Sequence, residues 1–164
     1  MKNKITPLPS YYKHTKFRSR LEARWAAYFD MIGCKWEYEP EGYSLPSGNY
    51  CPDFLCGDGF FVEVKPLRCE VEEIAKKLIE LAKLTGLDVI GVYGPPSLTA
   101  YPVFTDDDEA NEEGANMPAV FCHYAFTVKQ WGVPFYIEDG SLFSNEPYSA
   151  VARGMRFENG VAAS

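Results

Sequence analysis

The sequence predicts an α/β fold in which a mixed β-sheet is flanked by helices in the order αβββαβ. Three stretches predict it: an apolar stripe of helical period over residues 17–32, two short apolar runs joined by glycines over residues 50–65, and a second helical stripe followed by an entirely apolar run over residues 71–93. At 164 residues, the chain is long enough to bury a sizeable core, and we predict a single domain.

The first helix is predicted from Phe17 to Gly33, because glycine is typical of the position just after a helix. Its apolar stripe comprises Phe17, Leu21, Trp25, Tyr28, Phe29 and Ile32. Glu22 lies one position off this stripe, at the edge of the face that would be buried. Residues 19–22 also read S-x-x-E, the pattern of a capping box, so Glu22 has a structural interpretation beside any functional one.

The strands of the predicted sheet follow this helix. They comprise a strand over residues 35–39, a connection rich in turn signals over residues 40–49, and a hairpin over residues 50–65. In the second strand of the hairpin, Phe60, Val62 and Val64 share one face that suits a core. Side chains alternate along a strand, so Glu63 and Lys65 share the other face.

The length of the hairpin loop decides whether Asp53 joins Glu63. A three-residue loop over residues 57–59 pairs Cys56 with Phe60 and sets Asp53 opposite Glu63. A two-residue turn shifts the register by one residue and turns Asp53 away from Glu63. The loop has a glycine at each end, and glycine adopts positive φ readily, so we predict the three-residue loop.

Residues 94–164 are predicted to elaborate the core beyond the buried strand Val89–Tyr93. We predict strands at 98–105, 119–126 and 134–137, an exposed acidic loop at 106–116, and a short final helix from Pro147 to about Phe157.

Charge is distributed unevenly along the chain. The formal net charge is −7, yet residues 1–35 contain eight cationic side chains and only two acidic ones. Residues 1–16 are predicted to form an extended basic arm, which suits a phosphate backbone. A solvated basic tail explains the same charges equally well.

The cysteines and the hydropathy favour a cytoplasmic protein without a membrane partner. The five cysteines are an odd number, contain no CxxC pair and follow no signal-like apolar start, so we expect free thiols and disfavour a zinc or iron–sulfur cluster. No stretch approaches the roughly 20 apolar residues of a membrane span.

The polar residues Glu22, Asp53, Glu63 and Lys65 predict a metal-dependent site. Three carboxylates would repel one another unless a cation lay among them. Hard oxygen ligands at a partly open site suit Mg²⁺ or Mn²⁺. A neighbouring lysine would orient or deprotonate an attacking water, or stabilise charge developing at phosphorus. These parts suit phosphodiester hydrolysis, and an ion-pair ladder across the hairpin is the structural alternative.

Pro52-Asp53 followed by Glu63-Val64-Lys65 on the second strand of a hairpin resembles the motif of the PD-(D/E)XK nuclease superfamily. The segments FRSRLEARWAAYFD (17–30) and WEYEPEGY (36–43) are similar to the acid-bearing first helix and the following strand of small phage and prophage nucleases in that superfamily. The resemblance implies a restriction-endonuclease-like fold, with residues 17–93 as a nuclease-like core and residues 94–164 as its elaboration.

The resemblance also implies roles for individual residues. Asp53 and Glu63 would be the main ligands of Mg²⁺ or Mn²⁺, the Val64 carbonyl and Glu22 further ligands, and Lys65 the catalytic lysine. The cations expected to contact DNA phosphates are Lys16, Arg18, Arg20 and Arg24, and a guanidinium suits this because it presents a fork to phosphate oxygens.

Taken together, these features favour a metal-dependent endonuclease acting on DNA, with RNA the less favoured substrate. Such a nuclease would act in the host cytoplasm if it is phage-encoded, alone, as a homodimer or within a complex. The alternative is a non-catalytic protein on the same fold that binds nucleic acid or blocks a host-defence protein. The intact set of acids and lysine favours the nuclease, whereas the net acidity of the chain favours the alternative.

Overall fold

The computed structural model of the chain describes residues 7, 9–31, 33–57, 59–66, 69, 71–96, 102–114, 157–158 and 161–162. Its elements are β1 (Ser10–Tyr12), β2 (Thr15–Phe17), α1 (Arg20–Met31), β3 (Trp36–Tyr38), β4 (Tyr43–Leu45), β5 (Gly48–Tyr50), β6 (Phe54–Cys56), β7 (Phe60–Lys65), α2 (Val71–Thr85), β8 (Val89–Tyr93), β9 (Val103–Phe104), α3 (Asp108–Gly114), β10 (Phe157–Glu158) and β11 (Val161–Ala162).

A five-stranded mixed sheet in the order β3-β6-β7-β8-β9 forms the centre of the molecule. Strand β7 is antiparallel to β6 and parallel to β8, and α2 makes the crossover between the parallel strands. The predicted order αβββαβ is present as α1, β3, β6, β7, α2 and β8, which confirms a mixed sheet flanked by helices. Strands β4 and β5 form a separate two-stranded ribbon where the sequence predicted only a connection.

Strand β7 is buried on both faces, because each face packs against a different helix. Phe60, Val62 and Val64 join a cluster with residues of α1, as the alternation predicted. Phe61, from the opposite face, joins a second cluster with residues of α2. The N-terminal half of this strand therefore has no solvent-facing side, and the polar residues lie at its C-terminal end.

The loop between β6 and β7 has the predicted length. Cys56 pairs with Phe60, so the loop comprises residues 57–59. Gly57 has φ 54° and Gly59 has φ 128°, conformations that favour glycine, and the Gly59 amide donates to the Cys56 carbonyl at 3.2 Å. Continued by one residue, this register sets Asp53 opposite Glu63.

Helix α1 begins at Arg20, three residues later than predicted. Ser19 caps it, since its Oγ accepts a hydrogen bond from the Glu22 amide at 3.1 Å. Phe17 lies in strand β2 and is fully buried, with its ring centroid 4.5 Å from that of Tyr38. Phe17 packs into the same core as the apolar residues of α1, but it does so from strand β2. Its membership of the predicted helical stripe was therefore a coincidence of spacing.

Residues 10–17 form a hairpin where the sequence predicted an extended arm over residues 1–16. Its turn is made by Lys13 and His14, both at positive φ, and β1 also pairs with β11. The acidic segment 106–116, predicted to be a loop, contains helix α3. Asp107 caps that helix by accepting a hydrogen bond from the Glu109 amide at 2.9 Å.

The other predictions for the C-terminal part are tested only in places. Of the strand predicted at 98–105, β9 is present at Val103–Phe104 and residues 97–101 lie outside the described residues. Phe157 belongs to β10 and not to a helix, while residues 119–126, 134–137 and 147–156 lie outside the described part of the chain. None of the helices in the described ranges is long and apolar enough to cross a membrane.

Candidate active site

Asp53 and Glu63 are brought together by the β6–β7 hairpin. Asp53 directly precedes β6, Glu63 lies in β7, and their side chains are only 5% and 4% exposed. Each carboxylate accepts a hydrogen bond from the backbone of the other strand: Asp53 Oδ2 from the Val64 amide at 2.8 Å, and Glu63 Oε2 from the Asp53 amide at 3.3 Å. The hairpin backbone therefore fixes both carboxylates in position.

The buried Asp53 carboxylate is electrostatically strained. Burial, then the charge of Glu63 and then that of Glu22, raise the pKa of Asp53 well above its usual range. The hydrogen bond from the Val64 amide and the charge of Lys65 oppose this shift without cancelling it. A cation placed against Asp53 and Glu63 would relieve the repulsion between them.

Lys65 already supplies one such cation. It follows Glu63 by two residues in β7, and its Nζ lies 2.5 Å from Glu63 Oε1. Burial alone would lower the pKa of Lys65, but the Glu63 carboxylate raises it above its usual value. The lysine is therefore held as a protonated ammonium group at the edge of the carboxylate pair.

Tyr50 is a further hydrogen-bond partner of Glu63, a role that we did not predict from the sequence. Its hydroxyl donates to Glu63 Oε2, and burial together with the Glu63 charge raises the pKa of Tyr50, so the hydroxyl stays protonated. The residue lies in β5, within the ribbon that the sequence did not predict. The only available signal was general: a buried tyrosine hydroxyl requires a partner.

The guanidinium of Arg18 contacts two acids, Asp53 and Glu39. Its Nη2 donates to Asp53 Oδ1 at 3.2 Å, and its Nε lies 2.8 Å from Glu39 Oε1. The arginine side chain is 62% exposed, in contrast to the buried carboxylate that it contacts. Arg18 was predicted as a phosphate contact, and its ion pairs with Asp53 and Glu39 were not predicted.

Glu22 is buried near the site but serves the start of helix α1. Its Oε1 accepts from the Ser19 hydroxyl at 2.9 Å, and its Oε2 accepts from the Tyr38 hydroxyl at 2.5 Å and from the Arg18 amide at 3.2 Å. Together with the bond from the Glu22 amide to Ser19 Oγ, this arrangement supports the capping interpretation, although the backbone amide that Glu22 binds is that of Arg18 and not that of the N-cap Ser19. The charge of Glu22 still reaches Asp53, whose pKa is raised by burial, by Glu63 and, to a smaller extent, by Glu22.

The remaining predicted phosphate contacts lie apart from the carboxylates. Lys16 and Arg20 are exposed, and the Lys16 ammonium lies 5.9 Å from the centre of the Tyr11 ring. Arg24 is half-buried, and its Nε lacks a hydrogen-bond partner within the described residues. Among these four cations, Arg18 is the one that contacts a carboxylate of the site in the described part of the chain.

The carboxylate oxygens of Asp53 and Glu63 are the type of ligand that a hard divalent cation prefers. Within the described residues, no group of three or more His, Cys, Asp or Glu side chains is arranged to hold a metal ion. Mg²⁺ requires fewer, since it binds through one or two carboxylates and takes its remaining ligands from water and phosphate. The carboxylate oxygens of Asp53 and Glu63 are of a suitable chemical type. Like those of Glu22, they accept hydrogen bonds from protein groups in this structure.

Comparisons with known proteins give no match: no family model, no curated protein and no solved structure is significantly similar to the chain.

Proposed function

We propose that the protein is a metal-dependent endonuclease that hydrolyses phosphodiester bonds in DNA. The observation that carries the proposal is the pair of buried carboxylates, Asp53 and Glu63, fixed beside each other with Lys65 at their edge. Such a pair is costly for a protein that needs only to fold, because each ionised group raises the free energy of the other. The resemblance of residues 52–65 to the PD-(D/E)XK motif, and a restriction-endonuclease-like arrangement of the sheet, belong to the same proposal.

Asp53 and Glu63 would hold Mg²⁺ or Mn²⁺, with the Val64 carbonyl as the expected additional ligand. The bound ion would act as a Lewis acid toward the phosphoryl oxygens. Hydrolysis consumes one water molecule for each phosphodiester cleaved and leaves a phosphate monoester and a hydroxyl end.

Lys65 would act as a cation and not as a base. Its pairing with Glu63 raises the pKa of Lys65, so the ammonium form persists at neutral pH. An ammonium group can donate a hydrogen bond to a phosphoryl oxygen on which negative charge develops, and this contribution is greatest when the group is already oriented. The contact with Glu63 provides that orientation.

The test is a cleavage assay with Mg²⁺ or Mn²⁺ on supercoiled plasmid, linear duplex, single-stranded and branched DNA, and RNA. Asp53→Asn and Lys65→Ala should each reduce the cleavage rate by about 10²-fold or more, as loss of one preorganised charged group typically does. The matched controls are Asp106→Asn and Lys77→Ala, which change an exposed acid and an exposed lysine. Cleavage that survives both site substitutions would refute the assignment.

One observation favours a second function, that of a non-catalytic protein that binds nucleic acid or a host-defence protein. Arg18 and Lys65 already contact Asp53 and Glu63 within the chain, so each carboxylate has a cationic partner without a metal ion. Titration calorimetry with Mn²⁺ separates the two functions. The nuclease should bind Mn²⁺ and lose this binding in Asp53→Asn, whereas the non-catalytic protein should show no such binding.

A further inference from the structure

Glu39 has a backbone conformation that an acidic residue rarely adopts. It directly follows β3, and its φ of 46° lies in the left-handed region, which is unfavourable for residues with a Cβ atom and which glycine adopts readily. The Glu39 amide donates to the Asp53 carbonyl at 2.8 Å, so its backbone is paired with a residue of the candidate site. Backbone strain of this kind is concentrated at functional sites, where the surrounding structure offsets its cost.

The side chain of Glu39 contacts the same arginine that contacts Asp53. The Arg18 Nε lies 2.8 Å from Glu39 Oε1, and Arg18 Nη2 donates to Asp53 Oδ1 at 3.2 Å. The backbone amide of Arg18 donates to the Tyr38 hydroxyl at 3.1 Å and to Glu22 Oε2 at 3.2 Å. Although its side chain is largely exposed, Arg18 is therefore held both at its backbone and at its guanidinium.

These contacts leave part of the Arg18 guanidinium available to a ligand. A guanidinium has more N–H donors than the contacts with Glu39 and Asp53 use. Among the described residues, Nε and Nη2 have these partners and Nη1 has none. The Nη1 group is thus open beside a carboxylate that is a proposed metal ligand, and a phosphate oxygen there can accept a charge-assisted hydrogen bond from it.

We propose that Glu39 is a positioning residue, which holds the Arg18 guanidinium in place to bind the scissile phosphate. The inference rests on the proposed function and adds to it a phosphate-binding role for the Arg18–Glu39 pair. When a metal ion takes Asp53 Oδ1, the contact with Glu39 keeps the guanidinium beside the site, so less side-chain freedom is lost when the phosphate binds. A glycine at position 39 would suit the backbone better but would provide no such contact.

The test measures cleavage and thermal stability of Glu39→Asn. Asparagine adopts the left-handed region more readily than glutamate does, but its side chain is neutral and one carbon shorter. The variant should therefore keep or raise the melting temperature and yet lower kcat by about tenfold or more with little change in KM, since a small displacement of a catalytic group has a large effect on rate. Glu39→Gln keeps the length and an oxygen that can accept from Arg18 Nε, so it should lose less. Glu37→Asn, at an exposed position of β3, is the matched control and should leave kcat unchanged.

A double-mutant cycle measures whether Glu39 acts through Arg18. Arg18→Ala removes the phosphate contact itself, so adding Glu39→Asn to it should cause no further loss of kcat. A further loss in the double variant, or a wild-type kcat in Glu39→Asn, would overturn the inference. A loss of kcat in Glu39→Asn that is accompanied by a lower melting temperature would also overturn it, because it would indicate a structural role alone.

A second measurement does not depend on cleavage. In EDTA, the Arg18 Nε–H should exchange with water more slowly in the wild type and in Glu37→Asn than in Glu39→Asn, as measured by NMR. Equal exchange rates in all three proteins would overturn the positioning role. Failure of the proposed function is a separate result, since it appears as an absence of cleavage by the wild type with Mg²⁺ and Mn²⁺.

Discussion

The guanidinium of Arg18 donates a hydrogen bond to Asp53 Oδ1 at 3.2 Å. Asp53 is a proposed metal ligand, so the guanidinium contacts an oxygen that a bound metal ion would also use. The contact joins an exposed side chain to a buried carboxylate. A metal ion and Arg18 would therefore compete for the same oxygen. Once displaced, the guanidinium would be free to pair with a substrate phosphate beside the metal.

Arg18→Ala should have opposite effects on metal and on DNA. Removal of the competitor should strengthen Mn²⁺ binding by up to about fivefold, since a mostly exposed ion pair contributes roughly 0–1 kcal/mol. DNA binding should weaken several-fold in the presence of Ca²⁺. Calorimetry with Mn²⁺ and anisotropy with labelled DNA measure the two effects. Arg20→Ala removes an exposed arginine of the same helix end and should change DNA binding alone.

Tyr50→Phe tests whether the hydroxyl of Tyr50 stabilises the buried Glu63 carboxylate. Loss of a hydrogen bond to a charged, buried acceptor should lower the free energy of unfolding by about 1.5–3 kcal/mol. Urea denaturation followed by tryptophan fluorescence measures it. Tyr11→Phe removes a hydroxyl from a tyrosine that is 42% exposed and should change stability by less than about 0.5 kcal/mol. Equal losses in both variants would contradict the role.

The arrangement of Asp53 and Glu63 could be predicted because it depends on short-range rules. The glycines at the ends of residues 57–59 favour the three-residue loop over the two-residue turn, and the loop length sets the register of the hairpin. The alternation of side chains along β7 then determines which residues share a face. Similarly, the entirely apolar run of β8 predicted a strand buried on both faces. None of these inferences required a contact between distant parts of the chain.

The other features of the site depend on contacts that no local pattern encodes. Arg18 reaches Asp53 because β2 ends beside the hairpin, and Tyr50 reaches Glu63 because the ribbon folds back over it. Phe17 shows that a local pattern can also mislead. Its spacing from the following apolar residues fits a helix, yet it lies in strand β2. Helix α3 was not predicted for a different reason. Its sequence is polar and has no apolar stripe of helical period, so Asp107 was not recognised as the residue that caps a helix.

Glu22→Gln tests the capping role against a metal-binding role. If Glu22 serves the helix, the substitution should lower the free energy of unfolding by less than about 1 kcal/mol, because glutamine also fits the capping box, and should leave Mn²⁺ affinity unchanged. Ser19→Ala, which removes the N-cap hydroxyl itself, should cost about 1 kcal/mol. Glu37→Gln, at an exposed position of β3, is the control for loss of one negative charge. A large loss of Mn²⁺ affinity in Glu22→Gln alone would instead support the role of a metal ligand.

The raised pKa of Asp53 predicts how stability depends on pH in EDTA. Burial, Glu63 and Glu22 raise this pKa, so the folded protein binds the proton more tightly than the unfolded chain does. Stability from this group is complete below the unfolded pKa of about 4 and is lost as pH rises toward the folded value. Where only the folded state holds the proton, the slope is about −1.4 kcal/mol per pH unit.

Asp53→Asn should remove that slope, because the amide does not ionise and still accepts a hydrogen bond from the Val64 amide or from Arg18. Thermal and urea unfolding of both proteins across pH 4–8 should therefore show a wild-type curve that falls relative to the variant as pH rises. Asp106→Asn, at an exposed position, should run parallel to the wild type. Parallel curves for wild type and Asp53→Asn would mean that the carboxylate is not strained in the folded protein, and the main physical reason for a cation at this site would be lost.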